Sequence, residues 1–267
     1  MLGSDVAFAC RQNGFTTTVF DLPKFDIRNK SHLTTALKQV EAVINCATYT
    51  NVDKAETQTE LAYQINAEAV KKLGQIAKKT NTWLLHISTD FVFDGKKKKP
   101  YSETDKPNPV NAYGKTKLKG EQFLAETDCK YSIMRIEWTY GLSGNNFVKK
   151  IVNRSKTQKH LKVVDDQLGS PTATVQVAKV ICELLEKKPQ DIFHYAADGY
   201  VNRFQIAKFI LEKLNIPVDL VACKTDDFPS DAARPLNSCF ECSKIKEFLK
   251  QPIEHWQQAL ERFLHKL

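Results

Sequence analysis

The chain has no apolar run that approaches the ~18 residues a membrane-spanning helix needs, which excludes a helical membrane protein. Glycine and proline are scarce, ten of each in 267 residues, too few for a fibrous or low-complexity chain. Histidine is scarcer still: six residues, none in HxH or HxxxH spacing, so metal catalysis has no support and no metal site is expected. The seven cysteines are odd in number, scattered, and preceded by no secretory signal pattern. Cys239 and Cys242 have CxxC spacing but no second pair and no nearby histidine. The expectation is reduced thiols in a cytoplasmic protein.

What is present is the composition of a globular protein, 42% hydrophobic and 26% charged, long enough to bury a core without disulfides. Lysine and arginine outnumber aspartate and glutamate by 39 to 31, a formal net charge of +8. Such a balance favours anionic partners, whether phosphates, nucleotides, nucleic acid or an anionic membrane, without choosing among them. The run Lys96 to Lys99 reads as a solvated loop, with a phosphate-steering patch as the alternative. No recognised nucleic-acid-binding motif appears, so neither nucleic acid nor a membrane is an expected partner.

Periodicity organises the rest. Leu2, Val6, Ala9 and Cys10 fall on one face of an opening helix that Asn13-Gly14 stops. Strands are predicted at 15–20, 42–46, 83–88 and 131–136, with shorter ones at 162–164 and 192–195. Helices are predicted at 32–40, 59–78, 112–125, 147–154 and 174–185. Strands alternating with helices of this length imply βαβ crossovers. The strands are near-continuous apolar runs, as when both faces are covered. The predicted fold is therefore α/β, a Rossmann-like doubly wound parallel sheet. After about Ala196 the pattern turns mostly helical (203–214, 243–250, 252–264) around a loop at 224–238. The expected division is a dinucleotide-binding domain over 1–195, with a substrate-lobe insertion near 141–172, and a smaller helical lobe over 196–267.

In open parallel sheets ligands bind beyond the carboxyl ends of the strands. Three strand ends carry polar clusters: Asn45 to Thr50, Ser88-Thr89-Asp90, and Glu137 to Gly141. Tyr113 and Lys117 form a YxxxK at the start of a predicted helix, where i and i+4 share a face. An ammonium beside a phenol favours phenolate and lowers a pKa otherwise ~10, suiting the pair to proton exchange with an alcohol or ketone. Alone the pattern is common on helix surfaces; a hydroxyl donor at Thr89 on the preceding strand end gives it weight. Hydroxyl, tyrosine and lysine on consecutive βα units make the constellation of the short-chain dehydrogenase/reductase superfamily.

Within that superfamily the chain resembles the dTDP-4-dehydrorhamnose reductase family. The resemblance rests on NCATYTNVDKAET from Asn45, HISTDFVFDG from His86, Pro100-Tyr101, NPVNAYGKTKLKGE from Asn108, WTYG from Trp138, Asn146-Phe147-Val148, VDDQLGSPT from Val164 and ARPLNS from Ala233, in the family's order. It implies reduction of the 4-keto group of dTDP-4-dehydro-L-rhamnose to dTDP-L-rhamnose by NADPH or NADH. Tyr113 would deliver the proton, Lys117 would hold the nicotinamide ribose, Thr89 would bond the carbonyl oxygen, and Asp90 would orient these groups. By the same resemblance Gly3, Asp26, Ile27, Ala47, Thr48, Tyr49 and Ser88 join Tyr113 and Lys117 at the cofactor. Thr50, Val52, Thr89, Trp138, Arg234 and Asn237 would face the dTDP-sugar, and a homodimer is a possible assembly. Phe91 stands where the family usually has tyrosine, and Glu137 where it usually has a small residue.

The family opens with a strand and a GxxGxLG turn, of which only Met1-Leu2-Gly3 matches here. The expectation is a sequence read from an internal methionine, with a cofactor site short of backbone donors for the pyrophosphate. Two other classes compete. A non-catalytic regulatory subunit of the same fold, such as the beta subunit of methionine adenosyltransferase, or an inactive reductase, would share many of these motifs. A sugar-nucleotide epimerase or dehydratase fits the superfamily, but the motifs at 164–172 and 233–238 argue against it.

Overall fold

The computed structural model describes residues 1–228 and 230–267. Its centre is a four-stranded, wholly parallel sheet of β1 (Ala42–Asn45), β2 (Trp83–Thr89), β3 (Tyr131–Ile136) and β8 (Ile192–Tyr195), in the order β1-β2-β3-β8. Every residue of β2 is buried. Neighbouring residues face opposite layers, as the two-residue repeat of a strand requires. Leu85, Ile87, Met134 and Phe193 pack towards one layer with α1 (Leu2–Gln12), α8 (Thr174–Lys187) and α10 (Ser243–Leu249). Leu84 and Ile133 pack the other way with α2 (Lys30–Ala36), α5 (Ala69–Thr80) and α6 (Ala112–Ala125). Each fully buried leucine contributes roughly 1.5–3 kcal/mol. Helices on both faces make the predicted doubly wound α/β fold.

A second apolar cluster lies beside the sheet. Tyr140 of β4 (Thr139–Tyr140), Val148 and Ile151 of α7 (Phe147–Ser155), Val163 of β5 (His160–Val164), Ile206 and Ile210 of α9 (Arg203–Lys213), and Leu260 and Phe263 of α11 (Trp256–Leu264) share it. Small pairings brace this lobe: β6 (Leu168–Gly169) with β9 (Val201–Asn202), β7 (Thr172–Ala173) with β4, and β10 (Asp219–Cys223) with β5. Its core thus draws on residues 140–173 as well as on the C-terminal stretch, whereas α10 packs back onto β8.

Three local expectations differ from what is observed. Residues 15–20 form no strand, because no neighbouring chain supplies a ladder and β1 is the sheet's edge. The helix predicted at 59–78 is α4 (Thr59–Tyr63), a π-helical turn at Gln64–Glu68, and then α5. Strand β10 was not legible, since its five residues are exposed or half-buried and lack an apolar face. A short helix α3 (Lys54–Thr57) follows the loop after β1. All seven cysteines are free. Among the described residues no helix is long and apolar enough to cross a membrane.

Candidate active site

The parallel strands β1, β2 and β3 present their carboxyl ends on one side of the sheet, and α6 begins beside them. Asn111 starts that helix: its Oδ1 accepts from Gly114 N at 2.8 Å, and its Nδ2 donates to Ala233 O at 2.7 Å. The cap therefore also ties the helix to the C-terminal segment. Gly114 must be glycine, since a Cβ would lie 2.1 Å from Phe91 O. Tyr113 and Lys117 are both buried on α6, one turn apart.

The chemistry centres on Tyr113. Burial pushes its phenol up to about 12, the charge of Asp90 adds to that, and the nearby hydroxyls of Thr89 and Thr48 oppose it. Thr89 Oγ1 donates to Asp90 Oδ1 at 2.9 Å, and Ser238 Oγ donates to Asp90 Oδ2 at 2.5 Å. Asp90 is itself pushed up by burial. The structure thus brings Tyr113, Thr89 and Asp90 together as the sequence predicts. Lys117 behaves otherwise. Its Nζ turns to the strand, donating to Ile87 O at 2.7 Å and lying 3.2 Å from His86 Nε2. Burial lowers it to about 8. The expected acidic phenol is therefore not the resting state: desolvation dominates, and the ammonium one turn away is directed to Ile87 O instead.

The loop after β1 carries Ala47, Thr48, Tyr49 and Thr50. Asn66, in the π-helical turn, fixes it: its Oδ1 accepts from Thr48 Oγ1 and Tyr49 N, each at 2.8 Å, and its Nδ2 donates to Tyr49 O at 3.3 Å and Thr116 Oγ1 at 3.1 Å. Gly120 lets the turn approach, since a Cβ there would lie 2.1 Å from Asn66 O. Ala47 and Thr50 are exposed, and Val52 packs with Tyr49 and Phe91 around Tyr113. Gly3 lies in the first turn of α1 against Cys46, where an added Cβ would be 3.6 Å from the cysteine Cβ.

Other predicted residues are engaged elsewhere. Ser88 Oγ points to the opposite face from Thr89 and donates to Glu121 Oε1 at 2.5 Å. Glu121 in turn holds Arg135 in a buried ion pair at 2.6 Å. Ile27 is buried in the core with Leu33 and Leu73, and Asp26 is held by Arg28 at 2.6 Å. Asn237 Nδ2 donates to Lys97 O at 2.6 Å and Lys99 O at 3.1 Å, tying down the lysine run. Arg234 pairs with Asp53 at 2.8 Å. Trp138 stands at the rim with a left-handed backbone, φ 45°. Glu137, 1% exposed, accepts from Ser170 N at 2.9 Å and Phe240 N at 3.3 Å. Burial and the charge of Asp90 push it well above the usual carboxylate range.

Asn66, His86, Asn111, Arg203 and Ser238 were not singled out from sequence. Asn111 had a legible signal, a capping residue just before the tyrosine helix. The others are set by tertiary contact alone.

A doubly wound parallel sheet whose rim sets a tyrosine phenol against a strand-end hydroxyl, with lysine one turn on, defines a protein of the short-chain dehydrogenase/reductase type. The RmlD substrate binding domain family matches residues 1–267, and the chain belongs to that family. It is 35% identical over 275 aligned residues to dTDP-4-dehydrorhamnose reductase of Aggregatibacter actinomycetemcomitans, covering 97% of this chain and 93% of the relative. The crystal structure of dTDP-4-dehydrorhamnose reductase from Bacillus anthracis in complex with NADP superposes with a TM-score of 0.95 at 33% identity, covering 100% of this chain and 95% of that one. A dTDP-4-dehydrorhamnose reductase structure from Clostridium acetobutylicum does so with a TM-score of 0.95 at 36% identity, covering 99% and 95%.

Proposed function

We propose that the chain reduces the 4-keto group of dTDP-4-dehydro-L-rhamnose to dTDP-L-rhamnose with NADPH or NADH, in the cytoplasm. The observation that carries the reading is the buried Tyr113 phenol beside the Thr89 hydroxyl at the end of β2, with Lys117 on the next turn of the same helix. Family membership, the named relatives and the NADP of the Bacillus anthracis neighbour support it.

The residues present fit a dinucleotide. The first-turn N–H groups of α1 have no side-chain cap, and the turn lies against the start of the Cys46–Thr50 loop. Those groups, with Gly3, would receive a phosphate. Ala47, Thr48, Tyr49 and Lys117 would line the nicotinamide end. Bound there, NADPH or NADH supplies a hydride to the sugar's C4.

The protein's own part is proton delivery. A phenol held at about 12 keeps its proton throughout the neutral range, which suits a donor to the new alkoxide. Thr89 bonds the same oxygen by turning its hydroxyl away from Asp90, and so stabilises the charge that develops there. Asp90, anchored by Ser238, fixes Thr89. Lys117, whose ammonium rests on Ile87 O, would hold the nicotinamide ribose. In this reading residues 1–195 carry the dinucleotide. Residues 196–267, with the insertion at 141–172, carry the dTDP-sugar, with Thr50, Val52, Trp138 and Arg234 facing it. A homodimer is the proposed assembly.

Loss of reduced-nicotinamide absorbance upon addition of dTDP-4-dehydro-L-rhamnose tests the reading. The parent chain is expected to turn over, and Tyr113→Phe to lose a factor of ~10²–10⁴. No oxidation of either cofactor by the parent overturns it. Tight binding to another protein without turnover favours the regulatory-subunit alternative.

A further inference from the structure

Arg203 takes no part in the proton chemistry, yet it lies on Trp138, just past the carboxyl end of β3. It is the first residue of α9, whose start is fixed by a reciprocal cap: Asn202 Oδ1 accepts from Gln205 N at 2.8 Å, and Asn202 N donates to Gln205 Oε1 at 3.1 Å. Its guanidinium carbon lies 3.5 Å from the centroid of the Trp138 ring and 4.8 Å from that of Phe147. The indole is held from below as well. A Cβ on Gly169 would come within 2.7 Å of the ring and 2.6 Å of Glu137 Oε2, so only glycine lets the strand pass this close.

A guanidinium stacked through its face keeps its N–H groups directed outward in the ring plane. Among the described residues none of them donates a hydrogen bond or joins an ion pair, and none of its nitrogens is sealed from solvent. Two buried carboxyls lie near, but each is committed: Glu137 to the amides of Ser170 and Phe240, Asp90 to Thr89 and Ser238. Arg234 is steadied by Asp53 at 2.8 Å, and its charge is felt at Arg203. A stacked guanidinium with its fork of donors unused, and a second cation close enough for its charge to be felt, suit an anion with several oxygens.

We propose that Arg203 contacts substrate: lying on Trp138, it forms with Arg234 a two-arginine clamp on a phosphate of a nucleoside-diphosphate sugar. The inference rests on the sugar-nucleotide reading above and assigns the residue that grips the diphosphate.

Calorimetric titration of the full chain with dTDP, and separately with thymidine and NADP, tests it. Arg203→Gln is expected to weaken dTDP about tenfold or more, the size of a lost charge-assisted bond, while thymidine and NADP affinities hold. Arg203→Lys, which keeps the charge without the fork, is expected to fall between. Unchanged dTDP affinity in the glutamine variant overturns the proposal. Should that variant fail to fold, unchanged dTDP affinity in the lysine variant does so. A parent that binds dTDP through Arg203 but reduces no dTDP-4-dehydro sugar leaves the clamp standing and removes the reductase reading. A parent that reduces the sugar while Arg203→Gln binds dTDP normally does the reverse.

Discussion

Strands β1 and β2 end at the same rim and are built differently. β2 has seven buried residues and a ladder on each side, from β1 and β3. β1 has four residues, a ladder on one side, and a single buried position, Asn45. The hydroxyl proposed to hold the reacting oxygen, Thr89, sits on the doubly paired strand. The loop proposed to line the cofactor follows the singly paired one. Ladder and core fix the first to within the tolerance that proton transfer needs. The second is fixed by side chains, chiefly Asn66 with four hydrogen bonds, joined by Asn45 at Ala47 N and Gln58 at the Tyr49 hydroxyl.

The sharpest way to break this contrast is from beneath β2. Glu121 accepts from Ser88 and holds Arg135, whose guanidinium also lies 3.2 Å from His194 Nε2. Glu121→Leu strands a buried guanidinium and is expected to cost ~3–5 kcal/mol, the usual penalty for removing one partner of a buried pair. Urea unfolding monitored by tryptophan fluorescence measures it. A loss under 1 kcal/mol, the range of exposed pairs, would show that β2 does not depend on its buried charges.

Lys117 gives the next effect, and its sign follows from burial. Its ammonium is lowered by burial from its ordinary value of 10.5 to about 8 in the folded chain. Between those values the unfolded chain binds the extra proton, so this group makes stability rise with pH across that window by about 3 kcal/mol. Tyr113, held at about 12, begins to act oppositely only above 10, its ordinary value. Lys117→Met is therefore expected to flatten the stability–pH curve between pH 8 and 10 relative to the parent. Equal slopes in the two proteins would place the lysine in water rather than under β2.

Much of this was written in local sequence. The apolar runs WLLHIS and YSIMRI gave β2 and β3, and the interval from Asn111 to Lys117 gave a capped helix with its chemistry on one face. What was not legible depends on partners distant in the chain. Residues 15–20 have a strand's composition but nothing to pair with. The state of Tyr113 could not be read from its i+4 lysine, because His86 and Ile87 on another strand decide where Lys117 points. Ser88 and Thr89 adjoin in sequence, yet the pleat sends one to Glu121 and the other to Asp90. Adjacency in a motif therefore did not imply a shared site.

The smallest effect tests the other half of the comparison. If Asn66 stands in for a ladder at the β1 loop, Asn66→Ala removes bonds that are not replaced by sheet structure. Thr48 loses the acceptor for its hydroxyl and Tyr49 the acceptor for its amide, while β2 keeps every one of its pairings. The global cost is expected to be modest, ~1–3 kcal/mol for the groups left unsatisfied on half-buried Thr48 and Tyr49. The local effect is larger in kind: amide exchange at 47–50 should quicken while the amides of β2 keep their protection. Exchange that quickens equally on both strands would mean that the two are held by one cooperative unit, and the contrast between ladder and side chain would fall.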